Sequence, residues 1–304
     1  MKLICALALF VILSAFAEGT TGFTFLQVPA GARAVAMGGA FTAVPGDPIS
    51  LYWNPAASAT TTSSMLTTTY TSYMMDMQAG FAGWVNPREN DVIGVSLNYF
   101  FGGSFDRTTM EDPMGTGEQF TSNSMALAGT WAKLLTETIS IGVTGRFIYS
   151  QIDSYNANGF SVDLGGMYSS SAVPGLTGAL VVRNAGVQTK AFCRENDPMP
   201  TEIAAGVSQS LMNGNLLIAA DATMPLEGDI DFAAGVEYKP VEMLALRTGW
   251  SLSAKETADN AGGGFVDAMG FGMGTQYNQF SLDYAWKPCA DLGNTHRISL
   301  GIDI

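Results

Sequence analysis

The stretch Ile139-Ser-Ile-Gly-Val-Thr-Gly-Arg-Phe-Ile-Tyr-Ser150 decides the fold. Ile139, Ile141, Val143, Phe147 and Tyr149 fall on one side of an extended chain, and Ser140, Gly142, Thr144, Arg146 and Ser150 on the other. That period of two is the signature of a strand with one apolar and one polar face. The polar face is built from Gly, Ser and Thr with a single charge, where a solvated sheet would carry Lys and Glu. Small side chains of this kind suit the inside of a barrel, so the apolar side is expected to face lipid.

The pattern repeats outward from this stretch. Phe232, Ala234, Val236 and Tyr238 alternate with smaller or charged residues, as do Phe280, Leu282, Tyr284 and Trp286, and the chain ends on Ile298, Leu300, Ile302 and Ile304. Fourteen such segments begin near residues 62, 77, 91, 119, 137, 157, 175, 201, 214, 230, 243, 263, 277 and 294. Even strand numbers characterise single-chain bacterial outer-membrane barrels. Tight connections, such as Leu134 to Glu137 and Met212 to Asn215, alternate with longer ones, such as Gly102 to Glu118, Asp153 to Asn158 and Gly186 to Pro200. This is the asymmetry of short periplasmic turns and longer external loops. In that orientation Tyr99, Tyr149, Trp250 and Trp286 lie near the outer rim, and Trp84, Trp131, Tyr168 and Tyr238 near the periplasmic rim, giving two aromatic belts. The reading is an all-β transmembrane antiparallel barrel of about fourteen strands over residues 61–304.

Composition agrees with a lipid-facing protein. Of 304 residues only 13% are charged and 35 are Gly, with 27 acidic against 14 basic residues and a net charge of −13. Without a basic run, nothing is present to neutralise phosphates, so nucleic acid is not an expected partner. Residues 1–17 combine Lys2, an apolar run from Leu3 to Leu13 and an A-x-A site ending at Ala17, the layout of a cleaved secretory signal peptide. The expected location is the outer membrane of a Gram-negative-type cell, with outer-membrane lipid as the first partner.

Inward positions carry opposite charges on neighbouring strands. Arg146 is followed one strand later by Asp163, Glu237 by Arg247, and Asp283 by Arg297, while Arg183 and Asp221 join the set. Such cross-strand pairs contribute about 0.2–1 kcal/mol each. The expectation is an electrostatic zipper in the wall, or a polar lining that holds a plug or guides a solute. Met74, Met75 and Met77 read as a lipid-facing rim near the first hairpin.

No sequence signature of catalysis is present: no P-loop, no H-E-x-x-H, no paired C-x-x-C and no G-x-S-x-G. One histidine, His296, rules out His-cluster metal sites. The acidic residues Asp106, Glu111, Asp112 and Glu118 read as a solvated external loop rather than a metal site. No enzyme activity, metal or cofactor is expected. Cys193 and Cys289 lie in loops assigned to the oxidising exterior, where disulfides persist. Strands about 4.8 Å apart and tilted by about 40° give a barrel roughly 28 Å across. The two loops stand nearly half a circumference apart, so a disulfide lidding the mouth and two free thiols remain alternatives.

Residues 18–60 differ in kind. From Phe23 onward they do not alternate; they are rich in Ala and Gly and punctuated by Pro45, Pro48 and Pro55. Irregular backbone at membrane depth is tolerated only when buried in protein or facing a water-filled cavity, which points to a segment within the barrel. The motifs Gly31-Ala-Arg33-Ala, Met37-Gly38-Gly39-Ala-Phe and Leu51-Tyr52-Trp53-Asn54-Pro55-Ala resemble the N-terminal signature of the PorV/PorQ family. That family is similar, more distantly, to FadL-type transporters of hydrophobic compounds. The resemblance implies a fourteen-stranded barrel with an N-terminal hatch, in which Arg33, Asp47 and Asn54 fix the hatch by hydrogen bonds. It further implies a type IX secretion role, with exported proteins or secretion components as partners. A FadL-like passive transporter of small hydrophobic ligands through a hatch-gated lumen is the alternative.

Overall fold

The computed structural model describes residues 21–73, 77–254, 264–289 and 293–304. The expected signal peptide, Met74 and Met75 lie outside the described residues. Fourteen strands form in chain order: β1 Met65–Ser72, β2 Gln78–Pro87, β3 Val92–Asp106, β4 Gln119–Leu134, β5 Ile139–Ile152, β6 Tyr155–Ser169 and β7 Leu176–Lys190. They continue as β8 Glu202–Leu211, β9 Leu216–Pro225, β10 Asp231–Val241, β11 Leu244–Ser251, β12 Met269–Tyr277, β13 Phe280–Pro288 and β14 Asn294–Asp303. Each pairs antiparallel with its sequence neighbours, and β1 closes on β14 through Met65↔Asp303 and Thr69↔Ser299. Closure leaves no unpaired edge, which an apolar surround requires because every backbone N–H and C=O must find a partner within the sheet. Among the described residues no helix is long and apolar enough to cross a membrane.

The outward face is apolar along the whole wall. Leu66, Val95, Leu127, Phe160, Leu180, Phe232, Leu246 and Leu300 are all exposed on it. At the short-turn end the ring nitrogens of Trp84 and Trp131 donate to Ser64 Oγ (3.2 Å) and Asp91 Oδ2 (2.7 Å). Each of these rings joins an apolar body to a polar tip, as interfacial aromatic residues do.

The wall is uneven in height. Strands β3 to β7 run 14–16 residues, whereas the remainder run 8–11. A membrane needs only about 9–11 residues per strand, so this sector projects past the apolar band at the long-loop end. There Phe105 and Phe120 pack at 5.5 Å, and Arg107 binds Asp153 at 2.8 Å.

Two connections differ from the sequence reading. The expected loop from Asp153 to Asn158 is a tight hairpin of Asp153 and Ser154, with Asp153 in the left-handed region at φ 54°. The expected Gly186–Pro200 loop is shorter, because β7 continues to Lys190 through two irregularities in its pairing with β6. An extra residue in a strand inverts the alternation beyond it, which hides the end of β7 from a period-two reading.

Candidate functional site

The interior is occupied by residues 22–61, which form a 3-10 turn at Thr24–Gln27 and the short α-helices α1 Ala32–Ala36, α2 Ser50–Trp53 and α3 Pro55–Ser58. Local chemistry sets their path. Gly31 (φ 87°) turns the chain into α1, and a Cβ there would overlap the Ile49 side chain. Asn54 caps α3 by accepting from Ala56 N at 3.0 Å, with Pro55 in the first helical position, where a missing N–H costs nothing.

Inward glycines make room for this segment. A side chain at Gly235 or Gly249 would collide with the Met37 backbone, one at Gly142 with Pro55, and one at Gly270 with Val35. The Gly-rich polar face seen in the sequence is therefore a seat for a second layer of backbone. Met37, Phe41, Val44, Leu51, Tyr52 and Trp53 form an apolar core with Phe81, Val85 and Leu217 of the wall.

Charged groups fasten the segment to the wall. Arg33 grips Glu237 through Nε–Oε2 (2.8 Å) and Nη2–Oε1 (2.7 Å), while its Nη1 donates to Asp47 Oδ2 at 2.9 Å. Arg247 bridges Glu237 and Asp283 at 2.5 Å each. Burial alone lowers the Arg33 pKa, but the Glu237 and Asp47 carboxylates outweigh it and hold the guanidinium above its ordinary value. Asp221 accepts from the backbone N–H groups of Phe41 and Thr42, both at 2.8 Å. Arg183 donates to Glu202 Oε1 (2.6 Å) and to the Trp53 carbonyl (3.1 Å), and lies over the Trp53 ring. Arg146 pairs with Asp163 at 2.7 Å and donates to Asn184 Oδ1 at 2.6 Å.

Neutral groups brace the segment internally and add to its attachment. Asn54 Nδ2 donates to the Thr42 carbonyl (2.8 Å), and Trp53 Nε1 to the Ala30 carbonyl (3.0 Å). The Tyr52 hydroxyl donates to the carbonyls of Leu26 and Val28 at 2.9 and 3.0 Å. Burial pushes that hydroxyl above the ordinary phenol range, with Glu202 adding to the effect, so it remains a donor. From the wall, Ser208 Oγ donates to the Ala43 carbonyl (2.7 Å) and Ser140 Oγ to the Ala56 carbonyl (2.9 Å).

The structure thus gathers Gly31, Arg33, Met37, Asp47, Tyr52, Trp53, Asn54 and Pro55 into one luminal assembly with Arg183, Asp221, Glu237, Arg247 and Asp283. Gly38 (φ 70°) approaches the Trp250 backbone, and Gly39 sits near the Trp53 ring.

One expected pair is corrected. Asp283 binds Arg247 instead of Arg297. In register Arg297 lies opposite Ala285, with Asp283 opposite Ser299, so the two side chains are offset along the barrel. The cysteines are free thiols, Cys193 exposed in the loop after β7 and Cys289 buried just after β13. Their strands stand six apart in a ring of fourteen. His296 faces outward and its Nδ1 shares a hydrogen bond with Tyr284 Oη at 2.8 Å. In the acidic loop, Asp106 accepts from Gln119 and Glu118 pairs with Arg107. Among the described residues no three His, Cys, Asp or Glu side chains are arranged to hold a metal ion.

Glu202 and Asn184 were missed by the sequence reading. Glu202 faces Arg183 directly in register at the start of β8, an opposite-sign neighbour detectable once β8 is anchored. Asn184 sits at a left-handed kink (φ 57°) beside the β6–β7 irregularity, where alternation gives no guidance.

Cavities remain on both sides of the segment. The one at the short-turn end, about 290 Å³, is lined by Arg33, Asp47, Lys239, Arg247 and Asp283 among others. One at the long-loop end, about 320 Å³, is lined by Tyr52, Trp53, Arg183, Glu202 and Lys287 among others.

A closed fourteen-stranded barrel with an apolar exterior, its lumen threaded by an N-terminal segment, defines a class of outer-membrane β-barrel. Among solved structures the chain is similar to the Ralstonia pickettii toluene transporter TbuX, at 12% identity and a TM-score of 0.62 over 90% of this chain and 97% of that one. It is also similar to the Pseudomonas putida toluene transporter TodX (12%, TM-score 0.59, 90% and 96%) and a Pseudomonas aeruginosa FadL homologue (12%, TM-score 0.56, 91% and 99%). At such identity these likenesses establish the fold alone. No match to the curated proteins is found. Residues 17–176 match the family of the type IX secretion system protein PorV. The chain belongs to that family.

Proposed function

We propose that this PorV-family barrel holds exported proteins at its long-loop end, that this end faces outward, and that residues 18–60 are a hatch sealing the lumen. Residues 1–17 serve as the cleaved signal peptide. The observation that carries the reading is the filling of the lumen: the segment is tied to the wall by Glu237, Asp221, Arg183, Ser140 and Ser208. The cavities beside it are edged by Arg, Lys, Asp and Glu, surroundings that an apolar solute would have to desolvate unfavourably. The tall sector β3–β7, with Phe105 and Phe120 beyond the apolar band, supplies a surface that short loops alone would not. A passive route for hydrophobic compounds would need the hatch to move and those charges to be screened.

Affinity purification of the tagged protein after crosslinking in its own cells tests the proposal. Exported proteins or secretion components should be recovered, and shortening the β3–β4 projection should reduce their yield at least several-fold. Recovery of the barrel alone, with a small apolar molecule retained inside it, would favour transport instead.

A further inference from the structure

The alternation that turns apolar side chains toward lipid reverses above the rim. On β4, Met125 and Leu127 are exposed on the outward face, while Ser124 is buried on the inward face and bonded to Ser150 of β5. In its pairings β4 runs from Gln119 to Leu134 without an extra residue, so its two faces never exchange. What changes is the chemistry they carry. Nearer the tip the outward face holds Asn123, Thr121 and Gln119, with Gln151 and Asn156 in register beside Asn123. Gln119 donates to Asp106 Oδ1 at 2.9 Å on that face. The inward face holds Phe120 opposite Phe105, and Ser122 opposite Ile152, which in turn faces Tyr155. Phe105, Ile152 and Tyr155 are exposed there. One level below, Phe100 lies opposite Ser124 on the same face and packs on the cluster of Phe23, Phe25, Ile148 and Met199 beside the start of the luminal segment. The projection is therefore polar on its outer side and apolar on the side that overlooks the mouth. Exposed apolar surface of this kind marks a contact site.

The β3–β4 tip adds two features. Met110 and Met114 are almost fully exposed, and Met side chains suit surfaces that accept several partners. From Asp106 to Glu118 the chain carries the carboxylates Asp106, Glu111, Asp112 and Glu118 against Arg107. Arg107 is taken up by Glu118 and Asp153, and Glu111 and Asp112 form no ion pair among the described residues. Elsewhere on this sector Lys190 and Arg194 are balanced by Glu195 and Asp197, so the projection as a whole is acidic. Its edges are a poorer contact. No strand pairs with β3 beyond Phe101 on the β2 side, or with β7 beyond Arg183 on the β8 side. Both strands carry pairing irregularities, a device that discourages strand addition.

We propose that exported proteins dock on the inward face of β3–β6, over the mouth, through a segment that presents apolar side chains beside Lys or Arg. The apolar part covers Phe105, Phe120, Ile152 and Tyr155, and the basic part meets Glu111 and Asp112. The inference rests on the secretion reading and adds to it the docking face and the chemistry of the docked segment.

The test uses full-length protein in nanodiscs of zwitterionic lipid, with photoreactive benzoylphenylalanine in place of Tyr155 on the inward face or Thr121 on the outward face. The probes are two labelled peptides with one Val-Phe-Val core, flanked by lysines or by glutamates. Light should couple the lysine-flanked peptide at position 155 about tenfold more than at 121, and about tenfold more than the glutamate-flanked peptide. Phe105→Ser should lower coupling several-fold, and Glu111→Lys with Asp112→Lys should invert the peptide preference. Heat-modifiable gel mobility should be unchanged, because all three positions are exposed. Equal coupling at 155 and 121, equal coupling of the two peptides, or no coupling would overturn the proposal. In cells, exported proteins captured from position 155 and not from 121 would support it. Their capture from 121 alone would overturn the inward face and leave the secretion reading standing. No exported protein recovered with the tagged barrel by a general crosslinker would overturn the secretion reading, and this proposal with it.

Discussion

Replacing Arg33 by Met is expected to release the luminal segment while the barrel stays assembled. The change removes a two-point grip on Glu237 and the only ion pair of Asp47 among the described residues. Breaking a buried pair by deleting one partner costs about 3–5 kcal/mol. The lower end applies here, because Glu237 retains Arg247 and the Arg33 side chain is 20% exposed. Limited proteolysis should then cut within residues 22–61, which the wild-type protein should resist, while the heat-dependent shift in gel mobility persists. Arg33→Lys should restore only part of the protection, since an ammonium cannot span both Glu237 oxygens as a guanidinium does. An Arg33→Met protein as resistant as wild type would mean that the apolar core around Met37 and Trp53 holds the segment without the salt bridges.

Deleting residues 22–60 has the larger consequence for permeability. The segment fills the space between the two cavities, and its removal exposes inward Ser, Thr, Gly and the charged pairs to water. Wild-type protein in planar bilayers should show little steady conductance, and the deletion should show a stable open channel of several-fold higher conductance. Both proteins should insert, because the hydrogen-bonded wall closes through β1 and β14 without help from the segment. Equal conductance would place the barrier in the loops and not in residues 22–60.

The wall was readable from the sequence because one physical rule governs it. Lipid on one face and confined space on the other impose strict alternation, so β4 and β14 begin at Gln119 and Asn294 as the pattern requires. Alternation failed where other forces act. The Phe265–Ala268 turn delays β12, and the irregular β6–β7 pairing conceals both the end of β7 and the role of Asn184. The charges were legible as inward-facing but their partners only in part, since pairing depends on stagger between strands. Asp283 accordingly meets Arg247. The glycines at 142, 235 and 249 read as lumen lining. That they seat Pro55 and Met37 emerges only when the segment is folded against them.

On this reading the closed barrel serves secretion rather than passage of small molecules. Deleting its gene and measuring, in the same cells, the release of type IX cargo and the uptake of a labelled hydrophobic compound tests it most directly. Cargo release should fall and uptake should be unchanged, with full-length protein restoring release. Lost uptake with secretion intact would contradict the account.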